Sequence, residues 1–175
     1  MEKILFREEQ RCGRARMLKA VGITVVSGML LGYWFIRLGY NGKIFSRAFF
    51  IDSGFLVAIV LFLIVLILVV VLNSISLLRT RIKKDSIYVS YYPFKRKWEK
   101  IEVSEIFSYK IRKYSPYREY SGYGVKDHRK RGQAYIISGN TGLQLYLKDG
   151  RKILIGTQKT QAMAYAMRKL MGEEE

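Results

Sequence analysis

The chain has 175 residues, 50% of them hydrophobic, and a formal net charge of +17. Its single cysteine, Cys12, excludes an intramolecular disulfide, and with one histidine besides, the sequence offers no basis for a metal centre or a bound cofactor. So large a basic excess points to an anionic partner, either nucleic acid or the surface of an anionic membrane.

Residues 1–19 read as a juxtamembrane arm. Met1 to Met17 mixes Ile4, Leu5 and Phe6 with charges, and suits either a short helix on the inner membrane surface or a frayed arm. Cys12, near that boundary, reads as a small buried hydrophobe rather than a palmitoylation site.

A two-helix transmembrane hairpin is expected over residues 20–78, with spans at about 20–36 and 54–72. Ala20 to Ile36 is interrupted only by Thr24 and Ser27, whose hydroxyls can bond back to helix carbonyls. Gly54 to Leu72 carries no charge, amide or hydroxyl. As a helix it rises about 28 Å, close to the roughly 30 Å of bilayer hydrocarbon, whereas a buried strand runs only about 5 to 6 residues. A cleaved signal peptide fits poorly, because the first run is longer than a signal core and no small-x-small site follows it. Gly28 and Gly32 form a G-x-x-x-G pair, a close-packing face for the second span or for another copy of the chain. Neither span holds an acidic or basic residue, which argues against a transporter or channel.

Lysines and arginines orient the hairpin. They are dense before the first span (Lys3, Arg7, Arg11, Arg14, Arg16, Lys19) and after the second, but the loop between carries only Arg37, Lys43 and Arg47. Basic flanks stay inside, so both termini are expected in the cytoplasm and the loop outside, in the inner (plasma) membrane. Tyr33, Trp34, Phe35, Tyr40, Phe45, Phe49, Phe50 and Phe55 cluster at the outer boundary, where amphipathic rings settle. After Leu72 the helix is expected to run on through N-S-I-S-L-L to Arg79, Arg81, Lys83 and Lys84, a topology anchor that could also hold anionic headgroups.

Residues 79–175 then supply one small cytoplasmic domain. Ser86 to Tyr92 and W-E-K-I-E-V read as a hairpin broken at Pro93 to Lys97, and Glu105 to Tyr114 alternates again. Ser115 to Arg131 reads as a long loop. Ala134 to Ser138 is the next strand, and Asp149-Gly150 between L-Q-L-Y-L-K and R-K-I-L-I-G is a strong hairpin signal, with Leu143, Leu145 and Leu147 facing one way and Gln144, Tyr146 and Lys148 the other. From Gln158 to Leu170 the apolar positions Ala162, Met163, Ala166, Met167 and Leu170 follow helical spacing, with Thr157 as N-cap and Gly172 as the stop. One antiparallel sheet closed by a single C-terminal amphipathic helix is expected.

Such a strand-rich domain with one terminal helix, following a two-span hairpin, resembles the bacterial pleckstrin-homology-like domains attached to small membrane proteins. G-Y-G-V-K from Gly122, G-Q-A-Y-I-I-S-G-N-T-G-L-Q-L from Gly132 and D-G-R-K-I-L-I-G-T-Q-K from Asp149 are similar to a family of uncharacterised two-span bacterial proteins, mainly from Bacteroidetes. The resemblance implies the fold and a membrane location; it supplies no activity and no ligand.

Enzyme chemistry finds little footing. His128 sits among Asp127, Arg129, Lys130 and Arg131 without a second nitrogen or thiolate, no nucleophile elbow or phosphate loop is present, and the carboxylates Glu99, Glu102 and Glu105 are dispersed. A non-catalytic binding or scaffolding role at the inner face of the membrane is the leading reading. In it Lys95, Arg96 and Lys97 at one hairpin tip, and Lys126, Arg129, Lys130 and Arg131 in the long loop, grip anionic lipid headgroups, with Phe94, Tyr117, Tyr120 and Tyr123 touching the interface. The same cations also suit a merely solvated rim. An assembly subunit that holds a protein partner by strand addition is the alternative, and a membrane-tethered enzyme a more distant one. Nucleic acid is disfavoured, since aromatics alternating with lysines in Y-K-I-R-K-Y are what any half-exposed strand uses.

Overall fold

The computed structural model describes residues 4–39 and 53–172. Most of the loop expected outside the membrane, with Tyr40, Phe45, Phe49 and Phe50 of its aromatic cluster, lies outside the described residues. Two compact units emerge: Gly13–Ser74, and a β-rich unit made of Met1–Cys12 with Ile75–Glu175.

The first unit is a pair of helices, α1 (Arg14–Gly39) and α2 (Ser53–Ile75). The segments Arg14–Trp34 and Val57–Ile75 are long and apolar enough to cross a membrane. Thr24 bonds back to the Ala20 carbonyl at 3.0 Å, as its place in an apolar helix requires. A Cβ at Gly28 would lie 2.1 Å from the Phe62 ring, so the glycine makes room for α2; Gly32 faces open space. Near the helix ends Arg16 donates to the Asn73 side chain at 3.2 Å.

The second unit departs from one antiparallel sheet. It holds two sheets, ordered β1-β2-β3-β4 and β5-β8-β9-β7-β6. The first contains β1 (Ile4–Arg11), β2 (Leu77–Lys83), β3 (Ser86–Tyr92) and β4 (Lys95–Glu102). The second contains β5 (Ile106–Lys113), β6 (Gly124–His128), β7 (Gly132–Ile136), β8 (Thr141–Leu147) and β9 (Lys152–Gly156). Because β9 folds back from β8 and slots in beside β7, β7 and β9 are parallel. A helical turn, α3 (Pro116–Tyr120), and β6 occupy the stretch expected as a long loop, and α4 (Thr160–Met171) closes the chain.

Two further expectations give way. The N-terminal arm is neither a surface helix nor frayed: it is β1, an outer strand of the first sheet, paired antiparallel to β2 from Ile4↔Lys83 to Arg11↔Leu77. Nor does α2 run on into the basic cluster. It stops at Ile75, and in β2 Leu78, Thr80 and Ile82 turn inward while Arg79, Arg81 and Lys83 alternate with them. The apolar segment is therefore inserted between two neighbouring strands of one sheet.

One buried cluster joins the sheets. Phe6, Leu78, Ile82, Ile87, Val89 and Ile101 meet Tyr135, Ile137, Leu143, Leu145, Ile153 and Ile155, and each such side chain contributes about 1.5–3 kcal/mol. Met163, Ala166, Met167 and Leu170 of α4 complete the cluster, whereas Ala162 is exposed. Gly172, at φ 73°, ends α4, but Thr157 is not its N-cap, a position held by Lys159. Instead the Thr157 hydroxyl donates to Glu8 at 2.7 Å; the Gln158 N–H adds a second bond to that carboxyl at 2.9 Å, and Gln10 donates to the Gly156 carbonyl at 2.7 Å. β1 is thus latched to the far sheet by buried polar bonds.

The β-unit has two distinct ends. Arg11, Leu77 and Tyr92 lie in one row, followed by the turn at Pro93 and Phe94, and this attached end is where the chain leaves for the apolar helices and returns. At the opposite end the Lys84–Asp85 turn receives the Val103 N–H at 3.0 Å, and the nearby Glu105 carbonyl accepts the Lys148 N–H at 2.9 Å, which puts the Asp149–Gly150 turn there too.

Candidate functional site

The candidate cations divide between the two ends. At the attached end Lys95, Arg96 and Lys97 open β4 directly after the Pro93–Phe94 turn. Lys95 is turned onto an ion pair with Glu99, and donates to the Tyr135 hydroxyl at 2.6 Å. Arg96 stacks on Tyr92, 4.9 Å from the ring centroid, and is exposed, as are Lys97 and Phe94. Lys95 therefore ties the two sheets together, and Arg96 and Lys97 remain as the outward cations.

Burial of Glu99 opposes its ionisation, but hydrogen bonds from Lys95 and Tyr135 outweigh that and hold the carboxyl below its ordinary 4.5. Burial, with the adjacent Glu99, pushes the Tyr135 phenol well above its ordinary value. A carboxyl with a lowered folded-state value contributes stability that is complete above 4.5 and is lost as pH falls through the lowered value. Glu99→Gln should accordingly cost about 1 kcal/mol at pH 7, and thermal unfolding of the full chain in detergent should show that deficit shrinking at a pH well below 4.5. An equal deficit at both pH values would assign it to packing.

At the opposite end lies a groove of about 510 Å³ lined by Asp127, His128, Arg129 and Lys130 on one side and Asp149, Arg151 and Lys152 on the other. Gly132 makes it possible: its φ is +78° and a Cβ there would sit 2.1 Å from the Lys152 carbonyl oxygen, so only glycine lets β7 begin this close to β9. Within the groove Arg151 pairs with Asp149 at 2.5 Å, and the Lys130 N–H donates to His128 Nδ1 at 3.2 Å. The Arg151 N–H and guanidinium keep the Asp149 carboxyl below its ordinary range. Arg129, Lys130 and Lys152 surround these pairs with further positive charge. Lys126, mid-strand on β6, and Arg131, which donates to the Arg118 carbonyl at 2.9 Å, lie outside the lining.

The sequence reading missed Arg151 and Lys152 as lining residues, although their D-G-R-K stretch carries both a hairpin signal and part of the family resemblance. It also placed Tyr120 at an interface, but that ring is buried, edge-on to Tyr114 at 6.5 Å and bonded to Arg112 at 3.3 Å. Arg112 also pairs with Glu119 at 2.8 Å, so α3 is pinned by a polar network. Tyr117 and Tyr123 pack edge to face at 5.6 Å. Among the described residues no three His, Cys, Asp or Glu side chains converge as a metal ion requires. No family model, curated protein or solved structure matches the chain.

Proposed function

We propose that this is an integral membrane protein whose two apolar helices hold a basic β-domain, of bacterial pleckstrin-homology-like type, at the cytoplasmic face of the inner membrane, and that the domain acts by binding and scaffolding rather than by catalysis. The observation that carries this reading is the pairing of Arg11 with Leu77. A chain that leaves one sheet and returns to the adjacent strand must cross the bilayer an even number of times, which suits two spans. The basic residues on both sides of the insertion, Arg14, Arg16 and Lys19 before it and Arg79, Arg81 and Lys83 after it, favour the cytoplasmic side. The groove at the opposite end then faces the cytosol and offers its cations to a soluble anionic partner.

In a Cys12→Ser background, Lys130→Cys should react with a membrane-impermeant maleimide in inverted inner-membrane vesicles and stay unlabelled in intact cells. On the otherwise native full chain in nanodiscs of neutral lipid, inositol hexakisphosphate should bind saturably, and Arg129→Glu with Lys130→Glu should weaken it at least about tenfold, as loss of charge-assisted hydrogen bonds implies. Labelling from outside the cell overturns the orientation; polyanion binding that is absent or indifferent to the charge reversals overturns the groove as a binding site.

A further inference from the structure

The attached end of the first sheet has a surface chemistry of its own. Phe94 stands at the turn apex with 67% of its surface exposed, its ring tilted against Tyr91 at 6.3 Å, and Tyr92, two residues before it, is also exposed and capped by the Arg96 guanidinium. Lys97 and Arg11 flank them, both exposed, and Leu77 lies half-buried between Arg11 and Tyr92. One apolar ring at an apex, ringed by cations and tyrosine, is the pattern of a wedge for a lipid interface, where aromatic rings sit at headgroup level and cations meet phosphates. Tyr92 holds the guanidinium through the ring contact and through a long hydrogen bond, 3.5 Å, from Arg96 Nη2 to its hydroxyl, and the other guanidinium N–H groups are the ones that would meet phosphate.

Covalent connection selects the occupant. Only Cys12 and Gly13 separate Arg11 from α1, and only Ser76 separates α2 from Leu77; two residues reach at most about 7 Å. The seven-residue strand β2 places the opposite end of the sheet about 23 Å away. The Phe94 apex thus lies at the end of the sheet that is joined covalently to α1 and α2, and the groove lined by Arg129 and Lys130 at the other. The neighbouring acid Glu99 is already neutralised by Lys95, so it does not repel a phosphate.

We infer that the β3–β4 turn docks on anionic phospholipid: Phe94 enters the headgroup–acyl boundary, while Arg96, Lys97 and Arg11 pair with lipid phosphates and fix the domain's orientation on the leaflet. This rests on the membrane reading above, and it makes the two ends functionally different, one gripping lipid and the other left for a soluble partner.

The test uses the full chain, Cys12→Ser, reconstituted in nanodiscs with a nitroxide at Phe94→Cys or, as control, at Lys84→Cys in the opposite turn. With phosphatidylglycerol present, the label at 94 should be accessible to oxygen and shielded from a nickel chelate, while the label at 84 stays aqueous. In phosphatidylcholine alone, or with Arg96→Glu and Lys97→Glu, the docked-to-undocked ratio at 94 should fall by tenfold or more, since about three cations contribute. A label at 94 as aqueous as that at 84 in anionic discs overturns the docking, as does equal depth in neutral and anionic discs. Failure of the chain to incorporate into nanodiscs overturns the membrane reading itself.

Discussion

Replacing residues 12–76 by an Asn-Gly pair should convert this chain into a soluble, cooperatively folding β-protein, and a fragment that starts at Arg79 should not fold. Arg11 and Leu77 are directly paired across β1 and β2, which is the geometry that a two-residue Asn-Gly turn closes, its positive φ values matching the strand twist. The fusion keeps Phe6, 6% exposed, and Leu78, wholly buried, together with the bonds from Glu8 and Gln10 to the far sheet. The shorter fragment loses all of them. Removing either apolar side chain costs about 2–5 kcal/mol, and both together rival the 5–15 kcal/mol that holds a typical domain folded. Urea unfolding followed by circular dichroism distinguishes the outcomes: equal midpoints for fusion and fragment would mean that β1 is dispensable.

The second large effect is expected at Glu8. Its carboxyl, 4% exposed, accepts the Thr157 hydroxyl and the Gln158 N–H. Glu8→Ala leaves the buried Thr157 hydroxyl without its acceptor and releases the Gln158 N–H, which lies nearer solvent, a loss of about 2 kcal/mol, and Glu8→Gln should recover much of it by keeping an acceptor in place. Thermal unfolding of the full chain in detergent, with Thr157→Val and the double variant completing a cycle, measures the coupling. Strictly additive losses would show that the two residues stabilise the fold separately.

These two residues also explain why β1 is hard to read from sequence. A strand announces itself by apolar alternation, but the inward positions of β1 are Phe6, Glu8 and Gln10, two of them polar. Their burial is offset by partners about 150 residues away in sequence, Thr157 and Gln158 for the Glu8 carboxyl and the Gly156 carbonyl for the Gln10 amide nitrogen. The same masking hides β2: Arg79, Arg81 and Lys83 after an apolar run look like a leaflet anchor, although Leu78, Thr80 and Ile82 alternate beneath them. β6, G-V-K-D-H, is concealed by its charge. Its place in the sheet comes from pairing with β7, not from its own composition.

The candidate site was legible in part. Clusters of lysine and arginine are visible in any sequence, and Arg129 and Lys130 do line a groove. Their joining to Arg151 and Lys152 depends on β7 lying parallel to β9 around Gly132, a non-local pairing that turn signals do not encode. Lys95 shows the converse, a cation that belongs to the sequence cluster yet is committed to Glu99 and Tyr135.

Composition and periodicity alone determined the two apolar helices, a hairpin break beginning at Pro93, the Asp149–Gly150 hairpin, and the terminal helix with its Gly172 stop, because each is written in contiguous residues; the break expected over Pro93 to Lys97 closes sooner, since Lys95 to Lys97 already belong to β4. Tertiary structure decided the number of sheets, the insertion of the apolar segment between β1 and β2, and the division of the basic residues between two ends. Those features are set by which strands share edges and which buried polar groups find partners, and both are properties of residues distant in the chain.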